Sequence, residues 1–125
     1  MHLLRWKRSL LALLVCACAA DEVTSYRVIK SISVGETANG YVVGAVFEDR
    51  CLSGCSVVES AQCAASVENF EITVSGSALV RTPNGEGDCP TACVQVVASC
   101  DIGVLEPGTY TIRYAVGKTE TLVVP

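Results

Sequence analysis

Six cysteines form the densest set of reactive side chains in this chain: Cys51, Cys55, Cys63, Cys89, Cys93 and Cys100. Thiols can pair by oxidation, hold a metal or exchange electrons, and spacing separates these uses. An even number in a short chain reads as a disulfide framework. Zinc sites favour closer cysteine pairs completed by histidine, but the one histidine is His2. A redox pair needs Cys-x-x-Cys, a spacing that does not occur. The spacing Cys51-x3-Cys55-x7-Cys63 is echoed by Cys89-x3-Cys93-x6-Cys100, with Val57-Val58 and Val96-Val97 inside the longer gaps. The flanking residues do not align, so the echo does not establish a duplication. Three structural staples are expected, with their connectivity open.

Other chemistry finds less support. Ser53, Ser56, Ser60, Ser75 and Ser77 offer hydroxyls, but without a nearby histidine no ordinary triad can form. Glu48 and Asp49 are neighbours, and neighbours on a strand face opposite ways, so the pair reads as a solvated strand end. Asn84-Gly85-Glu86-Gly87-Asp88 is rich in oxygen ligands but lacks the established calcium-loop spacing, and reads as a flexible turn. No catalytic residue, metal or cofactor is expected, and the chain is read as a non-enzyme.

The N-terminus determines where the thiols end up. Arg5, Lys7 and Arg8 precede the apolar run Leu10 to Ala17, and the small residues Ala17, Ala19 and Ala20 close it. This is the three-part plan of an export signal, occupying 1–17. Eight apolar residues are too few for a permanent span, which needs about 20. Within the run, Val15-Cys16-Ala17-Cys18 resembles the lipobox of bacterial lipoproteins. That resemblance implies acylation of Cys18, which becomes the new N-terminus and ties the domain to a membrane. Ala19 rather than Asp follows it, which by the same resemblance favours the outer membrane. Cleavage near Asp21, giving a secreted or periplasmic soluble protein, is the alternative.

Loss of the leader removes His2, Trp6 and Met1, each the single residue of its kind. It leaves six basic residues against thirteen acidic ones, a net charge of −7. A surface that acidic excludes a nucleic-acid partner, because phosphate neutralisation needs clustered Lys and Arg.

The elements that must carry the cysteines show period-two alternation broken by turn residues. A polar tether is expected over 18–25, with one domain over 26–125. Tyr26, Val28, Ile32 and Val34 alternate and stop at Gly35. Tyr41, Val43, Ala45 and Phe47 form the next run, and Phe70, Ile72 and Val74 another before Gly76, with Leu79 in a short run after it. Val94, Val96 and Ala98 follow, then Tyr110, Ile112, Tyr114 and Val116, then Leu122 and Val124. Ser56 to Val67 fits a helix as well as a strand. Cys93 and Cys100, seven apart, would face opposite ways in a continuous strand, so a bulge or bend is expected between them.

About seven short strands in 100 residues indicate a small antiparallel β-sandwich. Leu105 to Ile112 resembles the tyrosine corner of immunoglobulin-like and fibronectin type III domains. That resemblance implies an Ig-like, all-β sandwich in which Tyr110, entering the penultimate strand, bonds back to the corner made with Pro107 and Gly108. The functional expectation is a lipid-anchored envelope protein that contacts a protein or a wall component without catalysis. The alternative is a secreted inhibitor-like module presenting the loop Thr82 to Asp88.

Overall fold

The computed structural model describes residues 21–84 and 87–125; Cys18 and the rest of the leader lie outside the described residues. The alternating pattern becomes eight strands, with no helix among the described residues: β1 (Glu22–Tyr26), β2 (Ser31–Thr37), β3 (Gly40–Leu52), β4 (Val57–Glu68), β5 (Glu71–Thr82), β6 (Val94–Gly103), β7 (Gly108–Ala115) and β8 (Lys118–Val124). One sheet is antiparallel in the order β2-β3-β6. The other is built on β5, whose whole length pairs with β4 along one edge. Its second edge is shared: β7 takes the start, in parallel, at Glu71 to Thr73, and β1 takes the end, antiparallel, at Ala78 to Thr82. β8 lies outside β7. The sandwich is therefore antiparallel apart from one short parallel pairing.

Alternation fixes which side chains meet between the sheets. Val43, Ala45 and Phe47 of β3 face Ile72, Val74, Ala78 and Val80 of β5, and Val96, Tyr110 and Ile112 complete the interior. Each such aliphatic or aromatic side chain contributes about 1.5–3 kcal/mol when fully buried.

The sequence pattern departs from this arrangement in particular places. Glu22–Ser25, inside the expected tether, joins Tyr26 in an edge strand: Glu22 and Ser25 sit outside while the backbone completes the ladder of β5. Ser56 to Val67 resolves as strand β4, because its small residues pair along β5. Ile29 is 1% exposed while Val28, expected to face inward, is 64% exposed. The chain crosses there from one sheet to the other, and a crossover does not keep a strand's period. Ala78 and Val80 are buried in place of Leu79. β2 runs past Gly35 to Thr37, and Val116 sits exposed in the β7–β8 turn.

All six cysteines pair: Cys51–Cys93, Cys55–Cys89 and Cys63–Cys100. The repeated x3 spacing gains a geometric meaning here. Two segments running in opposite directions can be cross-linked at two rungs only if both rungs are equally spaced, so Cys51 meets Cys93 and Cys55 meets Cys89. Cys63–Cys100 joins β4 of one sheet to β6 of the other. Cys93 precedes β6 and is exposed, whereas Cys100 lies in the core. The irregularity falls on the partner strand β3, between Val46 and Leu52. Three bridges in about a hundred residues are those of an exported protein in an oxidising compartment.

That irregularity turns Phe47 and Glu48 inward together, so Glu48 is 5% exposed rather than solvated. Arg50 Nε donates to its Oε1 at 3.1 Å and Arg50 Nη2 to its Oε2 at 3.2 Å, while Lys30 Nζ adds a bond at 3.2 Å. The Arg50 guanidinium and backbone N–H, with Lys30, hold the carboxyl down from 4.5 to about 2 against the opposing effect of burial. A depressed folded value gives stability that is complete above about pH 4.5 and lost as pH falls towards 2. The urea midpoint of the native protein should therefore drop across that window more steeply than that of Glu48→Gln. Parallel curves for the two proteins would remove Glu48 from the acid response.

Candidate functional site

The end of the sandwich where β4 turns into β5 carries the most unusual local geometry. The loop has two residues, Asn69 and Phe70, with φ of 50° and 62°. Two successive left-handed residues make the mirror-image turn that suits the twist of a hairpin. Asn adopts that region readily, whereas an aromatic residue there costs about 1–3 kcal/mol. The surroundings hold it in place. The Thr111 N–H of β7 donates to the Phe70 carbonyl at 3.0 Å. The Phe70 ring lies over Gly108, where φ is +153° and an added Cβ would come within 2.6 Å of ring atom Cε1. The ring also meets Tyr110, with centroids 5.1 Å apart and planes tilted by 49°, a spacing at which aromatic pairs attract.

Tyr110 is itself fixed. It is 3% exposed, and its Oη donates to the Glu106 carbonyl at 2.8 Å, across the bend at Pro107. A rigid ring stack thus stands at the mouth of the sandwich, built by a turn, a glycine and a tyrosine hydroxyl bond.

Beside the stack opens a recess of about 370 Å³, walled by Val67, Ile102, Val104 and Leu105 together with Phe70 and Tyr110. Phe70 is 48% exposed and Val104 85% exposed, so the apolar wall faces water. Its lining is polar as well as apolar: Asn69, Glu106 and the Tyr110 hydroxyl, which is already committed to the Glu106 carbonyl, contribute to it. Its apolar part, Val67, Phe70, Ile102, Val104 and Leu105, can contact an apolar group. Among the described residues no cluster of three His, Cys, Asp or Glu side chains could hold a metal ion.

The residues singled out from sequence separate across the fold. Tyr110, Pro107 and Gly108 stand at the recess. Cys63 and Cys100 tie the middle of the sandwich, and Cys51, Cys55, Cys89 and Cys93 tie the opposite end. The loop Thr82 to Asp88 is also at that end, with Gly85 and Glu86 outside the described residues. So is the start of β1: Glu22 pairs with Thr82. β5 spans the eleven steps from Glu71 to Thr82, about 36 Å at roughly 3.3 Å per residue. Sequence alternation assigns Phe70 to the inward face of a strand, and nothing in its residue type marks a turn.

No protein-family model, curated protein or solved structure matches the chain.

Proposed function

We propose that this is an exported cell-envelope protein, held to the outer membrane by a lipid on Cys18, whose sandwich binds a partner without catalysing a reaction. The observation that carries the binding role is the preformed apolar recess beside Phe70, open to water at the end of the sandwich remote from Asp21. The lipobox-like Val15-Cys16-Ala17-Cys18 carries the anchor. The six later cysteines supply one another's partners, so the staples need no thiol from Cys18. An anchor three residues before Asp21 can extend only about 10 Å from it, which leaves the recess uncovered. The lack of histidine beyond His2 supports a non-catalytic role.

Intact mass spectrometry of the protein from its native membrane tests this reading. The expected mass carries a diacylglyceryl group on Cys18 and lacks six hydrogens for the three bridges. An unmodified Cys18, or a chain starting at Asp21, removes the anchor and leaves a secreted or periplasmic protein. A second reading, the inhibitor-like module, is favoured by the bridge Cys55–Cys89, which closes the base of the loop Thr82 to Asp88. It requires tight inhibition of a protease that disappears when that loop is replaced.

A further inference from the structure

We propose that the recess receives one bulky apolar side chain presented by a protein segment with Lys or Arg on both sides of it; this rests on the binding reading above and is independent of the anchor. The recess volume of about 370 Å³ is at the low end of ligand pockets, which run from about 300 to 1,000 Å³. That suits a single aromatic or leucine side chain rather than a large ligand. Its wall is preorganised: the Thr111 bond, the space over Gly108 and the contact with Tyr110 already hold the Phe70 ring. Binding therefore does not have to order that ring, a cost that otherwise subtracts from affinity.

The rim identifies the flanks of the occupant. Glu106 lines the recess, whereas Glu68 and Glu71 alternate outward with Ser66 and Thr73 into a separate groove on the other face of the hairpin. Glu36 adjoins the same Val104 and Leu105 surface. Arg113 pairs with Glu71 on that outer face, so neither adds net charge at the recess. An apolar wall with Glu106 and Glu36 at its margins complements an apolar residue between cations, and steers it in by charge. The same rim repels the anionic surface of a membrane and a second copy of itself. A protein segment of opposite charge is the occupant that fits.

The test uses the exported protein and a blocked pentapeptide with a central tryptophan between two lysines on each side. Trp6 is the chain's only tryptophan and lies in the leader, so emission from the peptide is read without background. The expected result is a saturable blue shift, with amide shifts in an NMR titration centred on Phe70, Val104 and Tyr110. Phe70→Gly should weaken the interaction at least about tenfold, and Val104→Ser, at a residue outside the core, severalfold with the fold unchanged. Raising the salt to about 1 M, where screening acts over about 3 Å, should weaken it too, and the glutamate-flanked peptide should not bind.

No blue shift at millimolar protein overturns the proposal, as does equal binding of the glutamate-flanked peptide or indifference to both variants. Vesicle binding or dimerisation that Phe70→Gly abolishes would assign the recess to a membrane or to self-association instead. Peptide binding by a protein without lipid on Cys18 would reject the anchor and keep this inference; a lipidated protein that ignores the peptide would do the reverse.

Discussion

Replacing Cys63 and Cys100 together by alanine should lower the stability of the domain by about 4 kcal/mol. The size follows from topology. Cys63–Cys100 has a sequence separation of 37, but the other bridges already shorten the path between its ends. The shortest loop runs from Cys63 back to Cys55, across to Cys89 and on to Cys100, about 20 residues. Chain entropy for such a loop is about 3 kcal/mol. Removing two sulfur atoms, one of them in the interior at Cys100, adds about 1 kcal/mol. With total stability of about 5–15 kcal/mol typical of a domain, the loss is severe. It should lower the melting temperature by roughly 20 °C, since 1 kcal/mol is worth about 4–8 °C at this size. Calorimetry of the double variant measures it. A loss under about 1 kcal/mol would mean that packing alone holds β4 against β6.

The same bridges show how far the sequence could be read. The six cysteines, their oxidising compartment and the alternating runs around Val43 and Ile112 were legible because each is a local pattern with a single physical cause. The pairing was not, although its clue was present. The equal x3 spacings identify two rungs only once Cys51 to Cys55 and Cys89 to Cys93 are known to run antiparallel, which is a tertiary fact. Most of β1 stayed hidden for a related reason: an edge strand held by its backbone ladder to β5 needs few apolar side chains, so Glu22–Ser25 looks like a tether. Ile29 was hidden because the crossover between sheets obeys no period. At the candidate site, Pro107, Gly108 and Tyr110 were visible as a motif. Phe70 was not, because its left-handed turn is chosen by what the ring packs against and not by any turn preference of phenylalanine.

The chain's two phenylalanines should therefore separate stability from binding. Phe47 is 1% exposed and points from β3 towards Gly76 of β5, where a built Cβ would come 3.0 Å from its Cζ. Phe47→Ala opens a cavity there that the paired strands cannot close, and should cost about 3–5 kcal/mol. Phe70→Gly should cost about 1–2 kcal/mol, below the loss at Phe47, because two effects oppose each other. Removing a half-exposed ring loses about 1–2 kcal/mol of area burial and the contact with Tyr110, worth about 0.5–1.5 kcal/mol more. Glycine at φ of 62° relieves a left-handed backbone by about 1 kcal/mol or more, and Asn-Gly is the preferred pair for this turn. Urea unfolding of both variants, beside the peptide titration, gives the contrast: Phe47→Ala weakens the fold, while Phe70→Gly leaves it standing and empties the recess of its wall. Should Phe70→Gly unfold the domain as readily as Phe47→Ala, the ring would belong to the core and the recess would lose its claim to be a site.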